Sequence, residues 1–196
     1  MIVHVEGKLV EKEPTYVIID VNGIGYHINI SLNTFSSIES KENCKLLTYM
    51  HVKEDAQTLY GFVDSSEKRM FLSLISINGV GPSTGLMIQS SLTAGELQEA
   101  ILSEDVGTIQ SVKGIGGKTA QRIILELKDK IKKEGFAEQG QILPSNHNTL
   151  KNEALKALTT LGFNKSVAEK SITSIIKQSS GEIKLEELIR RALKTA

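Results

Sequence analysis

One nine-residue pattern occurs twice in this chain, and no other feature constrains the fold as tightly. Ile77-Asn78-Gly79-Val80-Gly81-Pro82-Ser83-Thr84-Gly85 recurs 35 residues later as Val112-Lys113-Gly114-Ile115-Gly116-Gly117-Lys118-Thr119-Ala120. Each copy reads apolar-x-Gly-apolar-Gly-x-x-Thr-small, with apolar residues at helical spacing before and after it. Glycines on either side of one apolar residue let the backbone reverse sharply. Val80 or Ile115 can then plug the helix pair from beneath. The helix that follows begins with unpaired N–H groups and the positive end of its dipole, so the turn suits an anion. A single copy is as often a plain tight turn; two copies with matched flanks argue for a shared task.

Other phosphate-binding loops fail on residue identity. A P-loop ending in Gly117-Lys118-Thr119 needs glycine at position 112, which is Val112. A dinucleotide fingerprint needs a third glycine where Thr84 and Thr119 stand, after a strand that neither copy has. The remaining polymeric anion is a nucleic-acid backbone. The candidate DNA-contacting residues are Gly79, Gly81, Ser83 and Thr84 in the first copy. In the second they are Gly114, Gly116, Lys118, Thr119 and Arg122. Lys118 and Arg122 lie one helical turn apart and can face the same strand, whereas Lys128, Lys130, Lys132 and Lys133 spread around the helix toward solvent. The pair resembles tandem helix-hairpin-helix DNA-binding motifs. Base-excision glycosylases use similar motifs with a lysine at the Lys118 position, but they need an aspartate about where Phe136 stands.

The first 63 residues carry strand signals: Ile2–Val10, Tyr16–Val21, Tyr26–Ile30, Leu46–Val52 and Thr58–Val63, with Asn22-Gly23 as a hairpin turn. No long helix is evident there, and a small OB-like barrel is expected. The period becomes helical after Asp64. Ser65 or Ser66 is a candidate cap for the first helix, and Thr93 with Glu96 has the capping-box form. Helices are expected near Ser83–Ser91, Thr93–Leu102, Asp105–Gln110 and Lys118–Lys133. A Gly, Pro, Ser and Asn-containing stretch reads as a linker over 136–149. Three short helices follow (Leu150–Leu161, Ser166–Gln178, Lys184–Ala192), with Gly162 as a left-handed cap. The expected fold class is α+β multidomain: an OB-like β-barrel over 1–63, a tandem helix-hairpin-helix domain over 64–135, the linker, and a UBA-like three-helix domain over 150–196.

Composition enters as a test of the nucleic-acid reading. The chain has 23 Lys+Arg and 23 Asp+Glu, a net charge of zero, which argues against binding by bulk charge. The zero is a sum of unlike parts: net −3 over 1–63, −4 over 64–112, +4 over 113–135 and +3 over 136–196. A protein that grips phosphates through backbone amides needs little excess cation. The single cysteine, Cys44, sits in an apolar run, reads as a buried thiol and fits a reducing cytoplasm. Met1–Glu6 shows no signal peptide and no run is long enough to span a membrane, so no membrane partner is expected.

Two further strings sharpen the resemblance. His51-Val52-Lys53-Glu54-Asp55-Ala56-Gln57-Thr58-Leu59-Tyr60-Gly61-Phe62 and Asn78-Gly79-Val80-Gly81-Pro82 look like the RuvA family of bacterial Holliday-junction-binding proteins. Gly114-Ile115-Gly116 followed by Lys118-Thr119-Ala120 looks the same, and the likeness spans the chain. The resemblance implies four-fold tetramers, alone or as an octamer of two, holding a four-way junction open and square-planar. It implies an acidic pin, Glu54 and Asp55, at the junction centre. It also implies a third domain that recruits RuvB, a hexameric AAA+ ATPase, with the RuvC resolvase able to join. No catalytic residue, metal or cofactor is expected. Leu161, Phe163 and Leu188 are candidates for the motor-binding surface, with core packing the alternative for these and for Leu193. One departure stands out: Ser83 occupies the place where many relatives carry lysine, so the first hairpin must rely on amides and hydroxyls.

Two other classes stay open at this point. A DNA-targeting helix-hairpin-helix subunit of a repair nuclease would need clustered carboxylates for Mg²⁺, and the adjacent acidic pairs Glu54-Asp55, Glu104-Asp105 and Glu186-Glu187 are scattered over three domains. An RNA-binding OB protein would need exposed stacking aromatics, which the acidic strand region does not offer.

Overall fold

A computed structural model describes residues 1–134, 146–178 and 183–195. The chain divides into two compact units, Met1–Glu138 and Gln139–Ala196.

The first unit opens with β1 (His4–Glu13), β2 (Tyr16–Val21), β3 (Ile24–Ile30), α1 (Leu32–Ile38), β4 (Asn43–Val52) and β5 (Gln57–Phe62). Asn22 (φ 53°) and Gly23 (φ 87°) make the expected β2–β3 hairpin turn. The strands close in the order β1-β2-β3-β5-β4, with β3 and β5 parallel and the other pairs antiparallel. This is the OB-like barrel. Alternate residues Val17, Ile19, Ile28, Ile30 and Leu46 fill it, with Cys44 buried at its edge. Burial in apolar surroundings pushes the Cys44 thiol pKa up, with Lys41 opposing. Helix α1 is an addition to the sequence reading. Its Ser31 cap accepts from the Thr34 N–H, and its short, polar Leu-Asn-Thr-Phe-Ser-Ser-Ile run has no clear helical period.

The central helices are α2 (Ser65–Ile75), α3 (Pro82–Ser91), α4 (Ala94–Leu102), α5 (Val106–Gln110) and α6 (Gly117–Glu134). Asp64, not Ser65 or Ser66, caps α2, accepting from the Ser66 and Glu67 amides and from the Ser66 hydroxyl. A carboxylate accepts several donors at once and adds charge at the positive end of the dipole. Thr93 and Glu96 form the capping box at α4. Met70, Leu74, Ile88, Leu97, Ile101, Ile123 and Leu127 make the core between these helices.

Barrel and central helices are not separate bodies. Phe71 of α2 packs at a tilt against Phe62 and Tyr60 of β5, with ring centroids 4.8 and 5.4 Å apart. Glu67 accepts from Ser31 Oγ (2.8 Å), Thr34 Oγ1 (2.6 Å) and the Val63 N–H (3.0 Å). From α3, Gln89 Nε2 donates to the Glu67 carbonyl (2.7 Å) and the Gln89 carbonyl accepts from Asn33 Nδ2 (2.6 Å). The change of period at Asp64 therefore marks a change of element type inside one packed unit.

The second unit contains α7 (Asn146–Thr160), α8 (Lys165–Gln178) and α9 (Leu185–Thr195) around Ala154, Leu158, Ala168, Ile172, Leu188 and Ala192. Gly162 (φ 93°) ends α7. The Phe163 N–H donates to the Leu158 carbonyl and the Gly162 N–H to that of Thr159, a Schellman closure. Helix α7 begins inside the stretch read as linker, because Asn and Ser favour helix starts as much as loops. The remainder of that reading, 136–145, lies outside the described residues. Among the described residues no helix is long and apolar enough to cross a membrane.

Candidate nucleic-acid interface

Each half of the repeat folds into a helix, a tight turn and a second helix: α2 and α3 in the first hairpin, α5 and α6 in the second. The turns are backbone copies of one another. Gly79 and Gly114 are left-handed at φ 92° and 87°, which makes glycine the residue of choice there. The Val80 N–H donates to the Ile77 carbonyl and the Ile115 N–H to that of Val112, both at 3.0 Å. The Gly85 and Ala120 N–H groups return to Gly81 and Gly116 at 2.9 and 3.0 Å. Val80, Ile115, Ile77 and Val112 are all buried in the shared helical core, as the plug reading expects.

Gly81 and Gly116 teach something different. Gly81 has φ −85°, open to any residue, and a Cβ built on Gly81 or Gly116 meets nothing within 4 Å. The protein's own packing does not call for glycine at these two positions. A backbone left bare toward solvent is what a ligand approaching the amides would need. No side chain caps the start of α3, so no side-chain acceptor takes up its first amides. Pro82 lacks an N–H, giving the first hairpin one donor fewer than Gly117 gives the second.

The side chains around the turns are unequal. Ser83 and Lys118 are exposed, and Thr84 and Thr119 are both half-buried. Arg122 is half-exposed but does not simply parallel Lys118. Its Nη1 donates to the Asn78 carbonyl at 3.0 Å, across to the first hairpin, and its Nε lies 3.9 Å from Glu126. Lys113 is an exposed cation beside Gly114 that the motif reading passed over. Lys128 departs from the solvent-facing reading: it is half-buried and ion-paired with Glu104. The side chain of Lys133 lies outside the described residues.

Two carboxylates hold the leading helices of the hairpins. Asp64 at α2 is pushed up by partial burial, but the Ser66 hydroxyl, the Glu67 and Ser66 amides and Arg69 outweigh that and leave its pKa lowered. Asp105 at α5 is lowered by the Thr108 hydroxyl and amide.

Glu54 and Asp55 form the tip of the β4–β5 hairpin. Val52 pairs with Gln57 and the Lys53 N–H donates to the Ala56 carbonyl at 2.8 Å, so the four-residue turn projects both carboxylates outward. Both are exposed, and no ion pair holds either among the described residues. Among the described residues no cluster of three His, Cys, Asp or Glu is placed to hold a metal ion.

Residues 1–61 match the family described as RuvA N terminal domain, 71–129 the SAM-like Helix-hairpin-helix tandem, and 149–196 the RuvA C-terminal domain. The chain is 55% identical over 197 residues to a Cytophaga hutchinsonii protein named Holliday junction branch migration complex subunit RuvA, covering 99% of both chains. The chain belongs to the RuvA family. Proteins of the same name from Christiangramia forsetii and Bacteroides thetaiotaomicron are 53% and 45% identical, again over 99% of each chain. All three architectural parts of the RuvA family, barrel, tandem hairpins and C-terminal helices, are therefore present.

In the C-terminal unit one candidate is corrected. Leu188 is 0% exposed and belongs to the core of α7, α8 and α9, because a three-helix unit this small needs its central leucine for itself. Leu161 is 60% exposed, Leu193 43%, and Phe163 is half-buried against the core. A partner surface on this unit can draw on Leu161 and the outer face of Phe163, not on Leu188.

Proposed function

We propose that this chain is the non-catalytic, DNA-holding subunit of a Holliday junction branch migration complex. The observation that carries this is the pair of matched turns whose second glycines, Gly81 and Gly116, serve no packing need of the protein and leave open space beside the backbone where each following helix starts. Amides at two such turns grip phosphates without reading base sequence, which suits a protein that selects DNA by shape. The contact set is Gly79, Gly81, Ser83 and Thr84 with Gly114, Gly116, Lys118, Thr119 and Arg122.

The acidic tip supplies the selection. Four copies around a junction centre would gather roughly eight unpaired carboxylates beside the crossover phosphates, where like charge repels continuous duplex and favours separated strands. The assembly is a homotetramer, or two tetramers enclosing the junction, in the cytoplasm. The C-terminal unit offers Leu161 and Phe163 to a RuvB-type AAA+ ATPase that drives the arms, with a RuvC-type resolvase as a further partner.

A gel-shift comparison of four-way junction, duplex and single strand, with and without Mg²⁺, tests the core reading. Preferential junction binding without cleavage is expected, and Mg²⁺-dependent cutting by the pure protein would replace it with the nuclease reading. Neutralising the tip as Glu54→Gln with Asp55→Asn should tighten binding to plain duplex. Equal duplex affinity in wild type and double variant would remove the pin's role.

A further inference from the structure

The two hairpins agree in backbone and differ in charge. Asn78, Ser83 and Met87 of the first copy stand where the second has Lys113, Lys118 and Arg122. At none of these three positions does the first hairpin place a cation. One reaches its turn from the other copy, through the bond from Arg122 Nη1 to the Asn78 carbonyl at 3.0 Å.

That carbonyl belongs to the peptide entering the left-handed Gly79. Because a peptide unit is planar, holding its oxygen also fixes the direction of the Gly79 N–H on the opposite edge. The guanidinium has five donors in a rigid fork. One is used on Asn78, Nε lies near Glu126, and the side chain remains half-exposed. It can hold the turn and still present charge to a phosphate.

We propose that Arg122 is the positioning residue that joins the two hairpins into one phosphate-gripping surface. It sets the first turn through the Asn78 carbonyl and lends that turn the charge that Ser83 does not supply. The inference rests on the DNA-holding reading, so its test has one arm that needs no DNA.

In the free protein, Arg122→Ala should shift the amide resonances of Gly79 and Val80, whereas Lys118→Ala should leave them in place. Unmoved Gly79 and Val80 signals in Arg122→Ala would overturn the proposal whether or not the chain binds junctions. In the DNA arm, Arg122→Ala is combined with Gly81→Ala and, separately, with Gly116→Ala. A Cβ fits at both glycines, and unchanged thermal melting verifies the fold of each variant. Arg122→Ala alone should weaken four-way junction binding about tenfold. Residues acting through one turn are non-additive, so in the Gly81→Ala background the further loss should fall below about twofold. In the Gly116→Ala background most of the tenfold loss should persist. The reverse pattern assigns Arg122 to its own helix and overturns the proposal. Arg122→Lys keeps the charge but not the fork, and should restore the salt dependence with only part of the affinity; full recovery of affinity would reduce the role to charge alone. A wild-type chain with no junction preference would count against the DNA-holding reading, while the resonance shifts would still decide the positioning role.

Discussion

The two hairpins share a backbone to within a few degrees at the left-handed glycines, yet at the three matched positions around the turns only the second carries cations, Lys113, Lys118 and Arg122. What repeats is what the fold requires: a positive-φ glycine, a buried plug and a bond closing the turn. What differs, Asn78 against Lys113, Ser83 against Lys118 and Met87 against Arg122, lies on the outside. Shape and charge are thus separable layers of one site, and a copy can lose the second while keeping the first. The first copy is further thinned by Pro82, which removes an amide from its helix start, while the second keeps the N–H of Gly117.

The shape layer should show the larger effects. Ile115→Ala is expected to cost about 3 kcal/mol and Val80→Ala about 2 kcal/mol, since both side chains are buried and valine loses fewer methyls. Urea denaturation measures both, and losses under about 1 kcal/mol would mean that the plugs do not anchor the turns. The charge layer should appear in the salt dependence of DNA binding. Lys118→Ala should lower the log–log salt slope by ~0.9 and Ser83→Lys should raise it by a similar amount, with Ser83→Ala near neutral. If Lys118→Ala leaves the slope unchanged, the second hairpin also works by amides alone and the proposed division of labour is lost.

The smallest effect concerns the acids at the two leading helices. Asp64 and Asp105 both titrate below the ordinary aspartate value of 3.8. Below that value the unfolded chain takes up protons that the folded chain still refuses, so stability present at neutral pH is lost as pH falls through the lowered folded values. Asp64→Ala should cost about 1 kcal/mol near neutrality, as lost helix caps do, and should flatten the fall in melting temperature between neutral pH and pH 3. Asp105→Ala should act in the same direction and more weakly, its carboxylate being exposed. An unchanged acid slope in Asp64→Ala would assign the acid loss to other carboxylates.

The features legible in the sequence are those with a local cause. Gly79 and Gly114 announce left-handed turns, Asn22-Gly23 a hairpin, Thr93 with Glu96 a capping box and Gly162 a helix end, each through a few neighbouring residues. Features set by distant partners were harder to read. Helix α1 is short and polar, held by its Ser31 cap and by bonds to Glu67 from 33 and 36 residues away. The cap of α2 is local, but the sequence offers three neighbouring candidates; Asp64 takes it rather than a serine because one carboxylate gathers three donors. Spacing placed Arg122 beside Lys118, but its bond to Asn78 depends on how α6 lies against the first turn. Leu188 carries no sequence mark separating a core leucine from a surface one; only the packing of three helices decides it.

Glu67 has a mechanical consequence. Strand β5 ends at Phe62 and α2 begins at Ser65, and the two residues between them are both tied down, Val63 through its N–H to Glu67 and Asp64 through its cap. The joint from barrel to hairpins is therefore short and bonded at both residues, and Phe71 packs against Phe62 next to it. On the proposed DNA-holding role, load applied to the hairpins would pass directly into the barrel instead of bending a hinge. Amide exchange at Val63 should accordingly follow unfolding of the whole unit rather than local fraying, the behaviour of a stiff bearing rather than a flexible clamp.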